Sequence, residues 1–195
     1  LKEAVLTGQC IIQGCQSSLG VLDVSFMGGT MSSVAGERIA LAFEQGAKKK
    51  IPVIAVVTSG GSRIQEGMLS LLQMAKTSAS ARLLHKRGIP FISVLANPCT
   101  GQTFASFANL ADIIIAEPKA IICLAPTKIM QEATPGKADI TGIHSAEDHL
   151  ANGMIDAIVE REYLRESLGS LLELTMPAFG LTEAKKKQKT TQYTG

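Results

Sequence analysis

Three glycine-bearing stretches hold the residues whose types and spacing could do chemistry. They are FMGGTMSSVAGER at 26–38, TSGGSRIQEG at 58–67 and NPCTGQTFAS at 97–106. Each follows a short apolar or β-branched run and stands where a helical pattern begins. A strand-to-helix turn aims backbone N–H groups outward, and the helix dipole adds partial positive charge at the same place. Glycine lets a ligand approach the backbone closely or lets φ turn positive. Loops of this kind suit an oxyanion. Any α/β domain has glycine at its turns, so one loop alone says little; three at successive strand ends say more.

Side chains that usually carry catalysis are missing. No serine sits in GxSxG, and no HExxH or Walker lysine motif occurs. His85 and His144 stand apart in sequence, and His149, in Glu147-Asp148-His149, is expected to be a solvated helix residue. Cys10, Cys15, Cys99 and Cys123 form neither CxxC pairs nor a dense disulfide pattern, so reduced thiols and no metal site are expected. An enzyme without an evident acid, base or nucleophile must work through backbone electrostatics.

Composition bounds the rest. With 46% hydrophobic and 18% charged residues, the 195-residue chain has the make-up of one globular domain with a sizeable core. Apolar runs such as 51–57 and 113–115 are strand-sized, far short of a membrane span, and no membrane association is expected. The net charge is +2, and the basic excess sits in Lys48-Lys49-Lys50 and Lys185-Lys186-Lys187 without tryptophan and with few aromatics. Nucleic-acid binding is therefore poorly supported, and the lysine runs read as solvated faces. No signal-peptide pattern opens the chain, which begins at Leu1 inside what reads as an element, so it is expected to be part of a longer polypeptide.

Strands are predicted over 21–25, 51–58, 91–95, 113–115 and 120–124, with a further strand-like stretch at 154–159. Helices are predicted over 33–49, 67–86 and 161–174. Alternating β and α elements imply an α/β fold with a mostly parallel sheet flanked by helices. In the second helix Met68, Leu71, Leu72, Ala75, Ala79, Leu83 and Leu84 follow helical spacing and predict one buried stripe, with Met68 and Met74 in the core. Gly88 and Gly153 mark helix ends. Residues 1–176 are expected to form the domain, and 177–195, polar and without apolar period, a tail or linker.

The long runs FMGGTMSSVAGER, SGGSRIQEG, LLQMAKTS, PFISVLANP, ASFA, IIIAEPKA and GMID closely resemble the carboxyltransferase β subunits of bacterial and plastid acetyl-CoA carboxylases, over roughly residues 2–175. The resemblance implies a crotonase-like ββα superhelix that moves a carboxyl group from carboxybiotin to acetyl-CoA, forming malonyl-CoA for fatty-acid synthesis. It also implies an α-type carboxyltransferase partner, without which the chain is inactive, and a biotin carboxyl carrier protein. The freed ureido nitrogen can take the acetyl proton, which leaves the protein two oxyanions to stabilise. Carried over by position, the amides of Gly60, Gly61 and Ser62 and those of Gly101 and Gln102 are the catalytic donors. Gly28 and Gly29 shape the cleft, while Arg63 and Gln65 organise the loop or contact CoA, and a lysine run near the cleft would suit CoA phosphates.

Two departures stand out. The family's second loop usually has two successive glycines, and Gln102 occupies the second place here; a residue with a Cβ still offers its N–H if φ stays in an allowed region. The family's Gly-Phe-Ala-Gly-Pro-Arg segment reads Cys123-Leu124-Ala125-Pro126-Thr127-Lys128. The family's N-terminal zinc ribbon has no counterpart in this chain. Alternatives are a related biotin-dependent acyl-CoA carboxylase or malonyl decarboxylase subunit, and a catalytically degenerate regulatory subunit. In either enzyme reading, exposed apolar helix faces should form a partner interface of standard size, roughly 1,600 Å². The expected location is the cytoplasm, or the plastid stroma for a plant protein.

Overall fold

The computed structural model describes residues 2–125, 132 and 144–179. Among them a sheet runs in the order β1 (Val5–Ile12), β2 (Cys15–Leu22), β3 (Val53–Ser59), β4 (Phe91–Thr100), β5 (Ile113–Ala116) and β7 (Ala157–Ile158), with β6 (Ile122–Cys123) paired to β4. Only β1 and β2 pair antiparallel; the other pairings are parallel, as the β/α alternation predicts.

The β1–β2 hairpin is absent from the sequence reading. Gln13 and Gly14, both at positive φ (47° and 91°), make the two-residue turn between the paired residues Ile12 and Cys15. Gln-Gly is a weaker turn signal than Asn-Gly, and β2, CQSSLGVL, has one β-branched residue and no aromatic. The strand predicted at 21–25 is therefore the end of β2, which stops at Leu22.

The helix α1 (Ser33–Lys49) spans the predicted residues. Its N-cap Ser32 accepts from the Ala35 N–H at 2.9 Å, and Lys50 closes it in the left-handed region. Beside α1 lies α2 (Met68–Lys86), and a short α3 (Ala146–Ala151) precedes β7. The last helix, α4 (Leu164–Ala178), begins later than predicted because 161–163 form a 3-10 turn. It passes through the expected domain boundary at 176, while Lys185-Lys186-Lys187 lie outside the described residues.

Alternation along the strands splits the core between two faces. On one, Val53, Ala55, Val57 and Leu95 pack with Ile39 and Phe43 of α1 and Leu84 of α2. Phe43 stands between Phe91 and Phe107, with ring centroids 4.8 and 5.7 Å away. On the other, Ile54, Ile92 and Val94 meet Leu168, Leu172 and Met176 of α4. Parallel strands covered on both sides are expected to be continuously apolar, as VIAVV in β3 is.

The burial of the first half of α2 is opposite to its prediction. Its inward face is Ser70, Gln73, Thr77, Ser80, Ala81 and Leu84, whereas Met68, Leu69, Leu71 and Leu72 are 67%, 59%, 48% and 56% exposed. Met74 is half-buried rather than core. Close approach of α1 explains the small inward residues, because a Cβ on Gly36 would lie 2.8 Å from the Gln73 Cβ. Two of their hydroxyls bond back to the helix: Thr77 Oγ1 donates to the Gln73 carbonyl at 2.8 Å, and Ser80 Oγ to that of Lys76 at 3.1 Å. Of the predicted stripe, Leu84 is buried and Leu83 packs against the core, while Met68, Leu71 and Leu72 at the start of the helix face outward. In the isolated chain Leu72→Ser should change unfolding free energy by no more than about 0.5 kcal/mol, whereas Leu84→Ala should cost about 2–5 kcal/mol. Urea denaturation of the two variants measures both.

Candidate active site

At the C-terminal ends of β3 and β4 the two predicted loops lie against each other. Beyond Val57 the β3–β4 register shifts so that Ser59 faces Cys99, which brings the residues after each strand together. Gly61 (φ +101°) and Gly101 (φ +65°) make the contact, and a Cβ on Gly101 would sit 3.0 Å from the Gly61 Cα. A side chain at Gly101 would press on the other loop, and one at Gly61 would be strained by its positive φ.

A cleft of about 810 Å³ opens over this contact. Its loop side is Gly60, Gly61, Ser62, Gln65, Gly101 and Gln102, and its walls include Met27, Ile64, Leu71, Met74, Ala105 and Leu124. No ionisable side chain lines it among the described residues. Burial pushes the thiols of Cys10, Cys99 and Cys123 up. They are thiols, not thiolates, at neutral pH. No group of three or more His, Cys, Asp or Glu side chains that could hold a metal occurs among the described residues.

The five predicted donors divide in two. The Gly60 amide donates to the Gly28 carbonyl at 2.8 Å, Gly61 to Ser59 Oγ at 3.1 Å, and Gly101 to the Cys123 carbonyl at 2.9 Å. These three are committed to holding the loops. The amides of Ser62 and Gln102 have no hydrogen-bond partner among the described residues, and both residues line the cleft. Met31 explains the first: it bridges in parallel to Ser62, bonding the Gly61 carbonyl and the Arg63 amide and leaving the Ser62 N–H on the other side. The allowed-φ condition at the second is met, since Gln102 is not among the positive-φ residues.

Gly28, Gly29 and Arg63 lie behind the loop instead of facing the cleft. A Cβ on Gly29 would fall 2.5 Å from the Thr58 carbonyl oxygen, so this stretch buttresses the end of β3. Arg63 is buried and donates to both Glu3 carboxylate oxygens, at 3.0 and 2.6 Å, and to the Thr30 carbonyl at 3.0 Å. Of the two roles expected for it, loop organiser is the one its geometry serves. Gln65 is at the cleft surface, as expected. Lys48, Lys49 and Lys50 end α1 at the pole where β3 starts, opposite the cleft, and cannot serve it.

Several contributors escaped the sequence reading. Ser59 is fully buried and joins three segments: its hydroxyl donates to the Gly29 carbonyl at 2.7 Å, lies 2.8 Å from Thr103 Oγ1 and accepts from Gly61. Thr100 Oγ1 reaches the Ser59 carbonyl at 3.0 Å. Hydroxyl residues flanking both glycine loops were the available signal. His149 is half-buried, not solvated; its Nε2 lies 2.8 Å from the Ile122 carbonyl and its ring stands edge-on to Phe104.

With this geometry in view, the chain was compared with known proteins. The carboxyl transferase domain model matches residues 1–188. The chain belongs to the carboxyl transferase domain family. It is 50% identical over 172 residues to the acetyl-coenzyme A carboxylase carboxyl transferase subunit beta of Protochlamydia amoebophila, covering 88% of this chain and 56% of that protein. Against the chloroplastic subunit of Cyanidium caldarium it is 43% identical over 174 residues, covering 89% and 65%. The carboxyltransferase domain thus spans a little over half the length of the first of these relatives. Among solved structures it resembles transcarboxylase 12S (TM-score 0.79, 27% identity, 87% of this chain and 33% of that one). It also resembles the Pseudomonas malonate decarboxylase MdcD-MdcE hetero-dimer (TM-score 0.78, 26% identity, 91% and 80%). The fold is crotonase-like, as the sequence resemblance implied. No helix of the described residues is long and apolar enough to cross a membrane.

The buried pair under the loop gives a pH dependence. Burial alone would raise the Glu3 carboxyl, but Arg63, the Ala4 amide and the Ser32 hydroxyl together hold it below its ordinary value. A lowered folded-state value means that the pair stabilises fully above the ordinary 4.5 and loses its contribution as pH falls through the lowered value. Glu3→Gln should destabilise the domain by about 3–5 kcal/mol near neutral pH, since it strands a buried guanidinium. The difference from wild type should shrink below pH 4.5, which denaturation at a series of pH values checks.

Proposed function

We propose that this domain is the β-type half of an acetyl-CoA carboxylase carboxyltransferase, transferring a carboxyl group from carboxybiotin to acetyl-CoA to give malonyl-CoA. One observation carries the reading. Two peptide N–H groups without a partner among the described residues, from Ser62 and Gln102, belong to an apolar cleft that no ionisable side chain of those residues lines. This arrangement offers stabilisation of an oxyanion and little else.

The chain's own part in the chemistry follows from those donors. When the α-carbon of a bound thioester loses its proton, charge grows on the carbonyl oxygen, and fixed N–H dipoles lower the energy of that state more than of the ground state. One such donor is worth on the order of 10²–10³ in rate. Carboxybiotin, held on a biotin carboxyl carrier protein, supplies the carboxyl group and the base. Once a partner closes over them, the apolar walls would exclude water from the donors, which strengthens them.

The partner is an α-type carboxyltransferase subunit or domain, covering the outward face of α2. Met68, Leu69, Leu71 and Leu72 lie on the helix that walls the cleft, and Ile64, beside them, is 80% exposed. A patch of this kind marks an interaction surface. Closure over it would complete the site. Residues 177–195 are assigned as a tail or linker, and the cytoplasm or the plastid stroma is the compartment this activity requires.

The test is malonyl-CoA-dependent carboxylation of free biotin by the chain mixed with its α-type partner, together with the forward reaction, carboxylation of acetyl-CoA or propionyl-CoA with carboxybiotin as donor. Turnover should need both chains and prefer the two-carbon acyl group. Leu72→Asp should weaken assembly about 10-fold or more, with CoA affinity of the isolated chain unchanged. Turnover by the chain alone would overturn the half-site reading. CoA binding without turnover in the complex would favour a degenerate regulatory subunit, and preference for another acyl group a related carboxylase or decarboxylase.

A further inference from the structure

The double-glycine pattern of the second loop is broken at Gln102, and the side chain at that position is neither solvent-exposed nor idle. It is 6% exposed and spans from one loop to the other. Its Oε1 accepts from Ser62 Oγ at 2.7 Å, while its Nε2 donates to the Ser70 carbonyl at 3.0 Å. Ser70 in turn accepts from the Arg63 amide at 3.0 Å and donates to the Met31 carbonyl at 2.7 Å. The two residues that Gln102 joins most directly, itself and Ser62, are those whose peptide N–H groups remain unpaired in the cleft.

We propose that the Gln102 side chain is a positioning residue that fixes the Ser62 and Gln102 amides relative to each other and turns the Ser62 hydroxyl into an acceptor. This rests on the carboxyltransferase reading of the same cleft. The orientation of the side-chain amide is set by the Ser70 carbonyl, which can only accept, so Nε2 must face it and Oε1 must face Ser62. Ser62 then spends its one proton on Gln102. Toward the cleft its oxygen offers lone pairs alone. A ligand group beside it must therefore be a donor, of the amide or ureido N–H class, while the oxyanion is left to the peptide N–H groups.

A clamp of this kind also accounts for tolerance of a side chain at 102. Gly101 supplies the positive φ and the close approach to Gly61, so the second position is free of both demands. A side chain there can replace flexibility with a cross-link.

Three variants test this in the complex with the α-type partner: Gln102→Met, close in size without either polar end, Gln102→Gly, which restores the family residue, and Ser62→Ala. Gln102→Met and Gln102→Gly should each lower kcat about 10-fold with KM for malonyl-CoA within about twofold, as expected when an interaction realised in the transition state is lost. The double variant Gln102→Met/Ser62→Ala should fall no further than Gln102→Met alone, because the two residues act as a unit. Hydrogen exchange on the isolated chain should show faster exchange in residues 59–63 for both Gln102 variants. Unchanged or raised kcat in Gln102→Gly, or effects of Gln102→Met and Ser62→Ala that multiply, would overturn the proposal. Should wild type show no turnover, the carboxyltransferase reading fails by itself. The clamp then stands or falls on hydrogen exchange, and unchanged exchange in 59–63 refutes it.

Discussion

Two loops touch at Gly61 and Gly101, backbone against backbone, an approach that the missing Cβ at 101 and the positive φ at both positions allow. Everything nearby serves that contact. Parallel pairing of β3 with β4 puts neighbouring strand ends about 4.8 Å apart, and the register shift past Val57 lets the chains beyond them converge. Ser59 binds the approach from below by linking the Gly29 carbonyl, Thr103 and the Gly61 amide. Arg63, anchored on Glu3, holds the exit of the first loop, and so the N-terminal segment reaches the site through a buried ion pair. Such a pair contributes little net stability against an apolar replacement, yet breaking it is costly. Its value here is geometric.

A cleft that no ionisable side chain lines among the described residues restricts the chemistry available. Peptide dipoles do not titrate, so they neither donate nor remove a proton, and any base must arrive with a substrate. Their strength also depends on the surrounding dielectric. In the isolated domain the walls include exposed apolar residues, and water reaches the donors. The outward apolar stripe of α2 and the incompleteness of the cleft are thus two sides of one property: the surface that the domain fails to bury is the surface a second domain would cover.

The sequence exposed the loops and the long helices more readily than their orientation. α1 appeared at its full span because its apolar period runs the whole length from Ser33 to Lys49. The Gln13-Gly14 hairpin stayed hidden because β2 reads CQSSLGVL, whose pairing comes from tertiary contact and not propensity. For the first half of α2 the periodicity was correct and the inference from it was not, since apolar spacing identifies a stripe but not what it faces. The opposite face, Ser70, Gln73, Thr77 and Ser80, offered the missing signal: small residues that can bond back to their own helix suit close packing against Gly36. Similarly, glycine count marked the loops, yet which N–H groups stay unpaired depended on Gly28, Ser59 and Cys123, which lie elsewhere in sequence.

That last dependence explains why the departures from the family pattern need not dismantle the second loop. The Gly101 amide is held by the Cys123 carbonyl, a backbone group that any residue at 123 provides. Cys123 sits in β6 without a positive φ, paired with β4 through Thr100, so the conformation there does not call for glycine. At 101 the reverse holds, because both φ and the distance to Gly61 exclude a side chain. A run of glycines in such a motif therefore mixes two kinds of position, some required by backbone geometry and others only compatible with it. The second kind is where a chain can install a side chain such as Gln102 and bind its loops together without disturbing the contact on which they rest.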